Sequence, residues 1–157
     1  MKKLLLQLAL PSVFFLTAFF VANFGFAQPT IPNLQGTWEA SFSGKDTDWY
    51  GQQEWLGGKS ILFIYQKPYE PNTPNLTIIP QDDPEDPFQG FVQGSVFSFY
   101  KNNQHGEPNL GREIIIGKVN TGGNSLSGLG IGFDSNTDWG SAWYYKFGAK
   151  KISDSVP

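Results

Sequence analysis

Residues 112–147 carry three runs rich in β-branched, aromatic and glycine residues, 112–119, 125–133 and 139–147. Two clusters of Asn, Asp, Ser, Thr and Gly separate them, at 120–124 and 134–138. That pattern predicts strand, tight turn, strand, tight turn, strand. Side chains on a strand alternate between its faces, so Trp139, Trp143, Tyr145 and Phe147 share one face. On the middle strand Leu126, Gly128, Gly130 and Gly132 share a face almost bare of side chains. Trp139 and Trp143 are expected over or beside Gly128 and Gly130. Large rings opposite glycines fill a small, curved barrel, and glycine relieves strain where a sheet bends.

The same reading extends upstream. Residues 34–43 form a strand opened by Gly36, residues 45–48 a turn, and residues 49–55 a short strand or an ordered loop. Gly57-Gly58 reverses the chain, and 60–66 and 76–80 are strands. Prolines at 68, 71 and 74 keep 67–75 out of any central strand. Residues 81–87 form an acidic, proline-stiffened loop. Residues 88–100 read as one long strand bent or bulged at Gly90 and Gly94, and 101–111 as a polar loop. The tail from 148 is expected to fray. No window beyond the N-terminal segment shows a 3.6-residue apolar period, so little or no helix is expected. The fold predicted is all-β, an antiparallel up-and-down barrel of about eight strands.

The N-terminal segment differs in kind. Lys2 and Lys3 precede an apolar run from residue 4 to about 22, and Gly25 and Ala27 offer small residues at −3 and −1. This describes a secretory signal over 1–27, cut before Gln28, with an uncleaved membrane anchor as the rival reading. The organisation expected is signal 1–27, extended leader 28–33, a barrel domain 34–148 and a flexible tail 149–157, with the protein secreted or periplasmic. Removal of 27 residues leaves 130 of 157, enough for one core without staples. The chain has no Cys, so neither a disulfide nor a lipid-anchored cysteine is available.

Charge narrows the partners. Of 11 basic residues, Lys2 and Lys3 leave with the signal, so 9 face 14 acidic ones, a net charge of −5, and Arg112 is the sole arginine. A nucleic-acid surface needs clustered Arg and Lys, which excludes that class. Net charge also argues against an anionic membrane surface, leaving an uncleaved signal segment as the membrane contact.

Candidate chemistry is sparse. With one His and no Cys, a structural zinc site is excluded. His105 would have to serve any Ser-His-Asp triad, but no Gly-x-Ser-x-Gly elbow exists; it reads as a solvated loop histidine. Asp82, Asp83, Glu85 and Asp86 lack EF-hand spacing and are interrupted by proline, so they read as a solvated loop. No catalytic residue, metal site or cofactor is assigned. The aromatics carry the functional signal. Trp49, Tyr50, Trp55, Trp139 and Trp143 are the candidate ligand-binding residues, since small-molecule sites are mostly apolar and aromatic. Tyr144 falls on the face opposite Trp143, so the two cannot line one cavity. Thr-Asp-Trp occurs twice, at 47–49 and 137–139, as turn chemistry ahead of a strand or as matching loops at one barrel mouth.

Gly36-Thr37-Trp38 resembles the Gly-x-Trp that opens the first strand of lipocalins and their calycin relatives, and Thr137-Asp138-Trp139 resembles their Thr-Asp-Tyr motif. The resemblance implies a β-barrel with Trp38 and 137–139 at its closed end. Lipocalins continue with a further strand, an arginine over the first Trp and a helix, and no counterpart follows Phe147. The mature length is similar to that of avidin-like barrels, which also begin with Gly-x-Trp. Three functions are carried forward. The leading one is an exported non-catalytic protein holding a small, largely apolar ligand in the barrel. The others are a carbohydrate-binding surface module using exposed Trp and Tyr, and a barrel enzyme such as a cyclase or isomerase.

Overall fold

Eight strands close on themselves: β1 (Gly36–Asp48), β2 (Gln53–Gln66), β3 (Leu76–Pro80), β4 (Phe88–Gln93), β5 (Val96–Asn103), β6 (Gly111–Val119), β7 (Ser125–Asp134) and β8 (Ser141–Ser153). Each pairs antiparallel with the next, and β8 pairs with β1. The computed structural model describes residues 31–48, 50–68, 70, 73–103, 111–134 and 140–157. No helix occurs among the described residues.

The inward positions of the strands make one core, with Trp38, Ile64, Leu76, Ile78, Val92, Phe97, Phe99 and Leu126 at its centre. Its rings meet at angles that aromatic quadrupoles favour. Phe97 and Phe99 are tilted with centroids 4.6 Å apart, and Phe147 meets Phe99 edge-on at 6.2 Å. Outward positions of β1 (Thr37, Glu39, Ser41, Ser43, Lys45) are polar. The period-2 pattern thus selects both faces of the sheet.

Turn chemistry sets the hairpins. Gln93 pairs with Val96, so Gly94 begins a two-residue connection. Its φ of 57° is the left-handed geometry that tight hairpins require. The 88–100 segment is therefore two strands and a turn, not one bent strand. At the β6–β7 turn the Asn120 carboxamide oxygen accepts from the amides of Asn124 and Ser125, both at 3.0 Å.

Three other boundaries differ from the sequence expectation. The 45–48 segment continues β1, and β2 runs straight through Gly57 and Gly58, which pair with Ser43 and Phe42. A Cβ on Gly58 would come within 2.8 Å of the Phe42 ring. The glycine there accommodates an aromatic neighbour and does not reverse the chain. The tail from 148 is also ordered by pairing: β8 runs to Ser153 and closes the barrel on β1. The Thr37 hydroxyl then donates to the Ser155 carbonyl, at 2.7 Å.

One end is sealed. Leu34 and Trp38 have no exposure, and the Trp38 indole donates to the Leu34 carbonyl at 2.9 Å. Gln66 holds the leader in place: its carboxamide oxygen accepts from the Leu34 amide, at 2.6 Å, and its nitrogen donates to the Pro32 carbonyl. Lys151 sits over the Trp38 ring, 5.5 Å from its centroid. A cation therefore covers the first-strand Trp. The strand ends flanking 135–139 lie at the other end of β1, where Asp48 pairs with Ser141. Residues 137–139 themselves lie outside the described residues.

Candidate ligand cavity

The interior above the core opens toward the end where Asp46 pairs with Trp143. A cavity of about 310 Å³ occupies it, within the range of small-molecule sites. Ala40, Phe42, Leu56, Leu62, Ile78, Phe99, Ile115 and Phe147 contribute its apolar wall. Asp46, Asp82, Asp83, Lys101, Glu113 and Tyr145 bring polar groups to it. A larger hollow of about 550 Å³ lies on the outside of the sealed end, between Asn33, the 121–124 turn and Lys151. It is an open surface depression between the 121–124 turn and the end of β8, apart from the barrel interior.

The glycine face of β7 shapes one side. Register places Gly132 opposite Trp143, Gly130 opposite Tyr145 and Gly128 opposite Phe147. An added Cβ would lie 2.1 Å from Tyr145 Cζ at Gly130 and 2.2 Å from Trp143 Cε2 at Gly132. The rings fill the space a side chain would take. The expected complementarity holds, but Trp143 pairs one step further along than expected, with Gly132.

The polar end is a linked set of charges. Lys101 is only 13% exposed, and its ammonium lies 3.2 Å from Asp86, 3.8 Å from Asp83 and 3.9 Å from Glu113. The Phe88 ring face lies 4.9 Å away. A lysine this buried needs such partners to offset desolvation. Asp86 Oδ2 forms no hydrogen bond of good geometry, and the Lys101 contact compensates its charge. The acidic loop therefore turns Asp86 inward, while Asp83 stays about half exposed and Asp82 and Glu85 face solvent, as the sequence reading expects of the loop.

Glu113 accepts a hydrogen bond from the Tyr145 hydroxyl. Burial raises the Glu113 pKa above its ordinary value; the bonds from Tyr145 and Trp143 and the Lys101 charge oppose that rise, and Asp86 adds to it. The Tyr145 hydroxyl is pushed up as well, first by burial and then by the Glu113 charge beside it. Asp46 presents a buried Oδ1 with no hydrogen-bond partner among the described residues. No group of three His, Asp or Glu among the described residues is placed to hold a metal ion.

Of the five aromatic candidates, the structure brings Trp143 to the cavity. Tyr50 and Trp55 are 76% and 74% exposed and stand outside it. Trp49 and Trp139 lie outside the described residues, as does His105. Tyr144 points outward, opposite Trp143, as alternation requires. Lys101, Glu113 and Tyr145 were missed as site residues. The signal was in the alternation: Lys101 follows Phe97 and Phe99 on one face of β5, and Glu113 precedes Ile115 on one face of β6. A charged residue in phase with core residues marks a polar group facing inward.

Comparison of the chain with protein-family models, curated proteins and solved structures returns no match. Fold and cavity alone define the class: a closed eight-stranded antiparallel meander barrel, sealed at one end by Trp38 and hollow at the other.

Proposed function

We propose that this chain is an exported, non-catalytic binding protein that holds a small, largely apolar ligand inside the barrel. The observation that carries the reading is the cavity, with apolar walls along its depth and a polar set gathered at one end. Burial of apolar ligand surface would supply most of the affinity, at about 25 cal/mol per Å². The Asp46 oxygen, without a hydrogen-bond partner among the described residues, favours a ligand whose polar end carries an N–H or O–H donor. Export rests on the 1–27 pattern, and N-terminal sequencing of the exported protein is expected to begin at Gln28 or to be blocked by cyclisation of that glutamine.

Native mass spectrometry of protein purified from its own organism tests the binding reading, because a retained ligand adds mass. A hydrophobic fluorescent probe tests it independently. Ala40 is 2% exposed and lines the cavity, so Ala40→Leu places three further carbons in it. The wild type is expected to bind the probe and the folded variant to lose it. Equal probe binding by the two would remove the cavity as the binding site.

Tyr50 and Trp55 favour a second reading, in which exposed rings form a carbohydrate platform. Quenching of Trp fluorescence by soluble glycans, abolished in Trp55→Ala and unaffected in Ala40→Leu, would support it over the first.

A further inference from the structure

The outside of the barrel is not uniform. On β6, β7 and β8 the outward side chains Ile116, Leu129, Ile131, Phe133 and Tyr144 are each between 46% and 63% exposed. Strand register makes them neighbours: Ile116 pairs with Leu129, and Ile131 pairs with both Ile114 and Tyr144. Such fractions over five large side chains amount to several hundred Å² of contiguous apolar surface, the scale at which a patch marks an interaction site.

The charges that face outward on these strands are of one sign. Arg112 and Lys118 stand at the two ends of β6, paired with Phe133 and Ser127, while Lys146 pairs with Leu129. Lys150 lies further along the same face of β8. No Asp or Glu occupies an outward position on β5, β6, β7 or β8. Arg112, Lys118 and Lys146 have no ion pair among the described residues. In a chain of net negative charge, the outward charges of these strands are all cationic.

We infer that the β6–β7–β8 face docks on an anionic lipid bilayer. Aliphatic and aromatic side chains ringed by Lys and Arg are the composition of interfacial membrane contacts, and each cation near an anionic surface adds attraction. The face is the convex exterior of a closed barrel. Lipid headgroups deform around a convex surface. A second copy would meet it only along a narrow ridge and would oppose Arg112, Lys118 and Lys146 to their own like charges. The polar outward face of β1 interrupts the apolar surface, so the barrel rests on the bilayer and does not span it. Net charge alone argues against an anionic membrane partner; the placement of the charges argues for one.

The test exploits the absence of cysteine. A single environment-sensitive dye is attached to the full chain through Leu129→Cys or, as a control on the polar face, Ser41→Cys. Each is mixed with vesicles of phosphatidylcholine alone or of phosphatidylcholine with phosphatidylglycerol. A blue shift at position 129, absent at 41 and dependent on phosphatidylglycerol, is expected, whatever the 1–27 segment adds to overall binding. Adding Arg112→Gln, Lys118→Gln and Lys146→Gln to the position-129 protein should raise the lipid concentration for half-shift about fivefold per charge, on the order of a hundredfold together. No shift at 129, or equal shifts at 129 and 41, overturns the proposal. So does a shift indifferent to phosphatidylglycerol and to the triple substitution. A shift that grows with protein concentration in the absence of vesicles would assign the face to a second copy instead.

Discussion

Gly130→Ala turns the packing of rings on glycines into a question of sign. Gly130 is not among the glycines with positive φ, so alanine meets no backbone strain there. In open space the change would stabilise by about 0.4–1 kcal/mol, through the lower entropy of the unfolded chain. The space is not open: the new Cβ would lie 2.1 Å from Tyr145 Cζ and 2.3 Å from Cε2. The ring has little room to retreat. It is 6% exposed, its hydroxyl is engaged by Glu113, and the Phe42 ring lies 5.9 Å away. Overpacking costs about 1–3 kcal/mol, and dislodging the hydroxyl from Glu113 adds about 1 kcal/mol. Equilibrium urea unfolding measures the sum. Gly148→Ala is the control, since its Cβ would find nothing nearer than Ser41 Oγ at 3.6 Å; it is expected to be neutral or stabilising. In a Tyr145→Ala background the penalty at Gly130 should vanish, which gives the pair a large coupling energy. A Gly130→Ala protein as stable as the wild type would refute the packing drawn here.

Trp38→Ala is expected to cost about 3–5 kcal/mol in a denaturant melt, as for other buried large aromatics; a loss under about 1 kcal/mol would mean the ring does not seal the barrel. Asn75 is 2% exposed and its carboxamide oxygen accepts from the Val92 amide at 3.1 Å, so Asn75→Ala should cost about 1–3 kcal/mol by leaving that amide unsatisfied, and an unchanged urea midpoint would show that the amide finds another partner. Glu113 titrates with a raised pKa when folded, so the folded state holds its proton more tightly than the unfolded one. Its contribution to stability is full below the ordinary value of 4.5 and is lost as pH rises through the raised one. Glu113→Gln should therefore flatten the stability profile above pH 4.5, and an identical slope in the two proteins would mean that Glu113 titrates normally.

How much was legible in the sequence depends on the range of the interaction involved. Alternation and turn residues act over a few positions, and they were sufficient for an all-β chain, the glycine face of β7 and the outward Tyr144. Boundaries decided by distant neighbours were not legible. Gly57 and Gly58 look like a reversal until Phe42, on another strand, is seen to occupy the space above Gly58. The residues from 148 to 153 look frayed until β1 supplies their hydrogen bonds. The candidate site divides in the same way. Aromatic abundance pointed to a pocket, and the charge-in-phase pattern of Lys101 and Glu113 was present to be read. Which aromatics face the cavity, and that Asp86 turns inward to meet Lys101, follow only from closure of the sheet, because closure brings β5, β6 and the 81–87 loop to one mouth. Net charge is a sum over the sequence and carries no positions. Barrel curvature and strand register convert it into an acidic interior mouth and a cationic, apolar flank.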